Sequence, residues 1–163
     1  MSGASRDRVA FLFLASSSRI ARLIIYLFLA NWLGSPALAH TQNGTLGTPA
    51  SATDHYEVTC FNDGSGEPQS LSVEIRDSSP GALPQVSAHV QRNDTLATTS
   101  DDTVADGKTG PEIHVNEGAG IYRVLVTKTG SGTKFYSVSF HCNVGLNGTG
   151  AHAGSVISVL QSQ

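Results

Sequence analysis

The chain has 163 residues, of which 39% are hydrophobic, and its formal net charge at pH 7 is −3. This length fits one ordinary domain, and the acidic balance argues against nucleic acid or an anionic membrane surface as a partner. The sequence contains no G-x-S-x-G, H-E-x-x-H or paired-carboxylate motif, so we predict no catalytic residues and a protein that is not an enzyme.

The first 39 residues have the pattern of a cleaved export signal. Their basic residues come first, and residues 23–33 then form an apolar run of eleven. A membrane-spanning helix needs about 20 apolar residues, so this run predicts no stable membrane anchor. Ala37 and Ala39 are the small residues of a signal-peptidase site. We therefore expect a signal peptide at 1–39 and a secreted or periplasmic domain at 40–163; an uncleaved N-terminal anchor is the alternative.

Residues 40–163 differ in composition from the predicted signal. Four of the ten basic residues and one of the thirteen acidic residues precede residue 40, which leaves six basic residues, twelve acidic residues and a formal net charge of −6. All six histidines follow residue 39, whereas the only methionine and the only tryptophan precede it. The mature domain therefore has no thioether ligand for Cu(I) and no tryptophan on which a sugar could stack.

Apolar and polar residues alternate along most of the mature domain, which is typical of half-buried antiparallel strands. Clusters of Gly, Asn, Asp, Ser and Pro separate the alternating runs, as expected of turns. The sequence predicts an all-β fold, a single antiparallel β-sandwich of jelly-roll-like form with about seven or eight strands. The alternating runs are 56–61, 71–76, 86–91, 113–115, 122–127, 136–142 and 156–160.

The mature domain has two cysteines, Cys60 and Cys142, each on the apolar face of its predicted strand. In an oxidising compartment such a pair is most simply a disulfide, which would join an early strand to a late one within or across the sheets. A metal-binding or catalytic thiol is the alternative, and it requires a reducing compartment or a supporting motif.

Two stretches resemble bacterial pre-peptidase C-terminal domains. Residues 119–126 (AGIYRVLV), the turn at 130–132 and residues 136–140 (YSVSF) are similar to the closing hairpin of those domains, and residues 54–58 (DHYEV) to their first strand. The resemblance covers most of residues 54–140. It implies a secreted jelly-roll-like module of the kind often appended to hydrolases, which in some members binds calcium, collagen or polysaccharide.

The histidine at the predicted cleavage site is the strongest candidate metal ligand. Cleavage after Ala39 would place the α-amino nitrogen of His40 beside its own Nδ1, and one further imidazole would complete a nitrogen site that suits copper. This arrangement resembles lytic polysaccharide monooxygenases and small periplasmic copper carriers. Candidates for the second ligand are His152, His141 and His114, with His152 first because small residues flank it as they flank His40. An incidental histidine at the cleavage site is the alternative.

Acidic loop residues are candidate calcium ligands, although their spacing matches no EF-hand or nonapeptide repeat, and a solvated loop is the simpler interpretation. They are Asp63, Glu67, Asp101, Asp102 and Asp106. The sequence thus favours an exported, non-enzymatic β-sandwich with a binding or structural role and a protein or glycan partner. The alternative is a periplasmic copper-binding protein using His40, and a copper oxygenase acting on polysaccharide is a third hypothesis.

Overall fold

The structure is a computed structural model that describes residues 40–103 and 106–163; the predicted signal peptide lies outside these residues. Nine strands follow one another along the described chain, and no helix occurs in it. They are β1 (His40–Leu46), β2 (Asp54–Phe61), β3 (Ser70–Asp77), β4 (Val86–Arg92), β5 (Thr95–Asp101), β6 (Ile113–Val115), β7 (Gly120–Lys128), β8 (Lys134–Asn143) and β9 (Gly154–Gln161).

The strands form two antiparallel sheets, which confirms the predicted all-β sandwich. Sheet A has the order β1-β8-β3-β6, and sheet B has the order β5-β4-β7-β2-β9. Without β9, the two orders are those of an eight-stranded jelly roll with two Greek keys. β9 is therefore an addition to the jelly roll, placed along the outer side of β2.

The core lies between the sheets and is built from the apolar rows that the alternation predicts. On β2, for example, Tyr56, Val58 and Cys60 are buried, and on β8 the buried row ends in Phe140 and Cys142. Because the period of a strand is two, the residues between them face outward, and His55 and His141 are among these.

The disulfide joins Cys60 of sheet B to Cys142 of sheet A, with their Cα atoms 5.6 Å apart. Both residues are buried at the end of their apolar rows, as predicted. The bridge therefore connects the two sheets across the core, which decides between the two arrangements that the sequence left open.

Two strands, β1 and β5, were not among the alternating runs. Their sequences, HTQNGTL and TLATTSD, consist mostly of Thr, Ser, Gln and Asn, so an apolar row is hardly visible. Each is an edge strand that pairs on one side only, β1 with β8 and β5 with β4. Edge strands bury less surface than central ones, and the hydrophobic pattern therefore weakens in them.

Candidate functional site

Two of the candidate metal ligands, His141 and His152, are in direct contact. Their rings stack with centroids 4.5 Å apart and an angle of 22° between the planes. His141 lies on the outward face of β8, and the backbone bridge between Asn143 and His152 carries the second ring to the same face. Among the described residues, neither ring makes a hydrogen bond, so the ring nitrogens are available to a ligand.

The third candidate, His40, lies at the same end of the molecule. It is the first residue of β1 and pairs with Phe140, the residue immediately before His141. Its ring stacks on that of Phe140 with centroids 5.6 Å apart, and its Nδ1 lies 2.9 Å from Oγ of Ser155 at the start of β9. Because His40 is the register partner of the inward-facing Phe140, its ring lies on the inner side of sheet A, opposite to the rings of His141 and His152. We call His40, His141 and His152 the histidine corner.

Backbone hydrogen bonds explain why these three residues lie at one end of sheet A. The amide of Ala153 donates to the carbonyl of Cys142 at 2.8 Å, so the segment that carries His152 lies along β8 on the side away from β3. β1 pairs with that same side of β8 as far as Phe140, which is the register partner of His40, the first residue of β1. The amino end of β1 therefore points toward the segment that bears His152.

The electrostatic surroundings of His141 favour its neutral imidazole. Burial lowers the pKa of His141, and the positive charges of His152 and His40 lower it further, against the opposing effect of Glu112 and Glu74. A neutral imidazole is the form that binds a metal ion. Among the described residues, however, no three His, Cys, Asp or Glu side chains are already arranged around a metal position.

The fourth candidate, His114, belongs to a different network. Its Nδ1 lies 2.9 Å from Oγ of the buried Ser72, which also accepts a hydrogen bond from Nδ2 of Asn143. Its Nε2 lies 4.0 Å from a carboxylate oxygen of Glu112. Gly148 covers Ser72 and His114 from outside, since a Cβ there would stand 2.8 Å from Oγ of Ser72. The network thus fastens the loop after β8 to sheet A.

The acidic residues considered for calcium largely serve their own turns. Asp101 accepts hydrogen bonds from the backbone amides of Asp77 and Thr103, and Asp63 accepts one from the amide of Ser65. Asp106 accepts one from the amide of Lys108. The contacts with Ser65, Thr103 and Lys108 are those of Asx turns, in which the carboxylate replaces a backbone acceptor, whereas the contact with Asp77 joins Asp101 to a residue 24 positions away.

The outer strand of sheet B is a second feature of functional interest. In the described part of the chain β9 pairs only with β2, so its other side presents free backbone N–H and C=O groups. The strand has the sequence GSVISVLQ, without a charge or a proline. Val156, Val159 and Leu160 are each more than half exposed. The alternating run at 156–160 predicted the strand, but nothing in it showed that it would lie at an edge.

Exposed apolar side chains are also found next to β9, on the outer face of sheet B. Thr59 of β2 pairs with Val156 on one side and with Ile121 of β7 on the other, and Phe61 lies over Gly154. Ile121 is 54% exposed and Phe61 is 45% exposed. Contiguous apolar surface of this kind marks contact sites in soluble proteins.

Both ends of β9 are held firmly. At its start, the loop after β8 closes on itself through hydrogen bonds from Val144 to Ala151 and from Gly145 to Thr149. At its end, the amide of Gln163 donates to Oδ1 of the buried Asp54 at 2.7 Å, and the amide of Gly47 donates to the carbonyl of Gln163. The open side of β9 is therefore presented by a rigid strand.

A shallow polar groove of about 460 Å³ lies on the outer face of sheet B. Glu57 and Arg123, which are register partners on β2 and β7, line it together with Gln91 and Asn93. Arg92 borders it and is itself engaged, because its guanidinium donates to the carbonyl of Gly118.

The described residues contain no helix that could span a membrane. No protein-family model matches the chain. Neither a curated protein nor a solved structure matches it either. The likeness to pre-peptidase C-terminal domains accordingly stays a prediction from the sequence.

Proposed function

We propose that the mature chain is an exported structural module that associates with a second copy of itself through β9. The observation that carries this proposal is the open side of that strand, which is eight residues long, uncharged and half exposed. Natural proteins normally protect such an edge with charged residues, proline or a very short strand, because free backbone groups recruit other strands.

The other edges of the sandwich have these protections or little apolar surface. β6 has only three residues, and β5 ends in Asp101. β1 is polar along most of its length. β9 has only a bulge, which interrupts its register with β2 between His55 and Tyr56 and so leaves Gly154–Val159 regular. Pairing is therefore expected along Gly154–Val159.

The sequence of β9 suits pairing with itself. An antiparallel pair with its two-fold axis at Ile157 places Ser155 of one copy opposite Val159 of the other, and Val156 opposite Ser158. Val156 and Val159 then each face a serine on the same side of the sheet, and Ile157 packs against its own copy at the axis. The paired strands would continue sheet B from one copy into the other.

Charge does not oppose this association. The mature domain has a net charge of −6, which would separate two copies that met at random. β9 contributes no charge, and the nearest acidic side chain, Glu57, lies one strand further in, opposite Ser158. The strand is thus a place where two acidic molecules can meet without like charges in contact.

Export is part of the same proposal. It is supported by the predicted signal at 1–39 and by the disulfide between the sheets, since disulfides persist in oxidising compartments. Mass spectrometry of the exported protein tests it through the mass of the mature chain. A mature chain that began anywhere other than His40 would contradict the predicted cleavage site.

Sedimentation velocity of residues 40–163 over a concentration series tests the association. We expect a dimer that dissociates on dilution, and we expect Ser158→Lys to weaken it by about tenfold or more, because an edge lysine blocks strand pairing. Leu96→Lys is the matched control, since Leu96 is also exposed and lies on β5, at the opposite edge of sheet B. A monomer at every concentration, or equal weakening by both substitutions, would refute self-association through β9.

A further inference from the structure

A row of side chains crosses the outer face of sheet B from one edge strand to the other. Register pairing aligns Gln91 of β4, Arg123 of β7 and Glu57 of β2 in this row, and Leu96 and Ser158 continue it to the edges. Neighbouring strands lie about 4.8 Å apart, so the row is about 19 Å long. Its three central residues line the polar groove, and a molecule seated in the groove can therefore extend along the row toward either edge.

The side chains at the centre of this row are not engaged within the described part of the chain. Glu57 and Arg123 are register partners, yet the ion pairs of the described residues all lie elsewhere, and neither side chain makes a hydrogen bond there. The amide of Gln91 is likewise free among these residues. Arg92, by contrast, is fixed at the border of the groove, because its guanidinium donates to the carbonyl of Gly118 at 2.8 Å. The groove thus offers free donors and acceptors beside a fixed wall.

We propose that this groove binds an uncharged polysaccharide. The carboxylate of Glu57 accepts hydrogen bonds, the guanidinium of Arg123 donates them, and the amide of Gln91 does both. A free cation beside a free anion suits neither a polyanion nor a polycation, because each would meet one like charge. A sugar hydroxyl both donates and accepts, so an uncharged glycan can bond all three side chains at once.

The remaining lining of the groove suits the same class of ligand. Ile121 lies in it and is 54% exposed, so it offers an apolar contact to the C–H faces of a sugar ring. Asn93 is held in place, because its Nδ2 donates to Oε2 of Glu117 at 2.7 Å. The mature domain has no tryptophan, and we therefore expect hydrogen bonds rather than ring stacking to supply most of the affinity.

Glycan binding goes beyond self-association and does not rest on it. The residues of the groove lie on or directly after β2, β4 and β7, whereas the open side of β9 is the one turned away from β2. A second copy paired with β9 would leave the groove open. Either proposal can therefore fail without the other.

Affinity electrophoresis of residues 40–163 in gels that contain a soluble polysaccharide tests the groove. The probes are three uncharged polymers, dextran, laminarin and hydroxyethyl cellulose, and one polyanion, alginate. We expect at least one uncharged polymer to retard the protein more than alginate does. No retardation by any uncharged polymer, or stronger retardation by alginate, would refute the proposal.

Two substitutions of opposite charge separate hydrogen bonding from charge attraction. Glu57→Gln and Arg123→Gln should each weaken binding of the retarding polymer by about tenfold, since hydrogen bonds to charged groups are the stronger ones. Added salt should change the affinity little. Strengthening by one substitution and weakening by the other would indicate a charged ligand and overturn the proposal.

Thr98→Ala is the control for these variants. Thr98 is exposed on β5, on the outer face of sheet B, but does not line the groove. The substitution should leave the retardation unchanged. A loss equal to that in Glu57→Gln would place binding outside the groove and contradict the assignment.

Discussion

Lys134 donates a hydrogen bond from Nζ to Oδ2 of Asp77 across 2.8 Å, and both side chains are almost completely buried. Lys134 is the first inward-facing residue of β8, and Asp77 is the last inward-facing residue of β3. The Nζ of Lys134 also donates a hydrogen bond to the carbonyl of Gly81, in the loop after β3. Asp77→Ala would leave a buried ammonium without its counter-charge, which costs about 3–5 kcal/mol of unfolding free energy. Urea denaturation at neutral pH measures this.

Asp106→Ala is the control for this substitution. Asp106 lies 3.9 Å from the exposed Nζ of Lys108, and such a surface pair contributes at most about 1 kcal/mol. If the Asp77 and Asp106 variants lost equal stability, burial of the pair between Lys134 and Asp77 would add nothing to its effect on the fold.

The alternation of residues was sufficient to predict the core but not these polar contacts. Tyr56, Val124 and Phe140 lie in apolar rows that can be counted directly on the sequence, and all three are buried. Lys134 lies at the end of such a row, 57 residues from Asp77, and a lysine at a strand terminus normally indicates solvent. Its burial depends on which strands become neighbours, and alternation does not encode strand order.

The hydroxyl of Tyr136 makes the stability of the domain depend on alkaline pH. It donates to Oδ2 of the buried Asp54 at 2.5 Å and lies 2.5 Å from the hydroxyl of Tyr56. Burial, followed by these hydrogen bonds, raises the pKa of Tyr136 far above its usual range. The folded chain keeps this proton, whereas the unfolded chain releases it above about pH 10.

The contribution of Tyr136 to stability should therefore be constant below about pH 10. As the pH rises further, the unfolding free energy should fall by up to about 1.4 kcal/mol per pH unit for this group. Tyr136→Phe should lower the stability at neutral pH, because Asp54 loses a donor, and make the alkaline slope shallower. Urea denaturation over a pH series measures both effects. An unchanged slope in the variant would show that Tyr136 does not control the alkaline limb.

The contacts of the histidine corner, like the contact between Lys134 and Asp77, could not be predicted from the sequence. Part of the metal hypothesis, the choice of His40 with His152, His141 or His114 as the second ligand, follows from counting histidines and locating the cleavage site. The contact between His141 and His152 does not, because it depends on a single backbone bridge between Asn143 and His152. No spacing rule distinguishes these residues from His114, whose ring instead bonds Ser72.

Acidic pH should weaken the fold through His141. Its pKa is lowered in the folded chain, chiefly by burial, so the unfolded chain binds this proton first as the pH falls below about 6.5. Stability is therefore expected to decrease from there downward, and His141→Gln should remove part of that decrease. Thermal unfolding from about pH 7 to about pH 5 measures the difference, and identical acid limbs for both chains would contradict it.

Gly148 should tolerate no side chain. Its φ is +72°, and a Cβ would stand 2.6 Å from Cε1 of His114 and 2.8 Å from Oγ of Ser72. Gly148→Ala therefore combines backbone strain with a clash, and we expect a loss of about 2 kcal/mol or more. Gly81→Ala is the matched control, because Gly81 has a φ of +106° but no atom within 4 Å of its Cβ position. Equal losses of stability in the two variants would show that Ser72 and His114 can move aside for a Cβ at position 148 without cost.

The bridge between Cys60 and Cys142 should contribute the largest single stabilisation. It closes a loop whose ends are 82 residues apart, and for a loop of this length chain entropy predicts about 4–5 kcal/mol as an upper value. Cys60→Ala with Cys142→Ala should lower the unfolding free energy toward that extent, with part of the loss coming from two small cavities at the ends of the apolar rows. The wild-type chain denatured in the presence of reductant is the control, since it loses the cross-link but keeps both sulfur atoms. A reduced chain as stable as the oxidised one would mean that the two sheets hold together without the bridge, and it would remove the main structural support for an oxidising compartment.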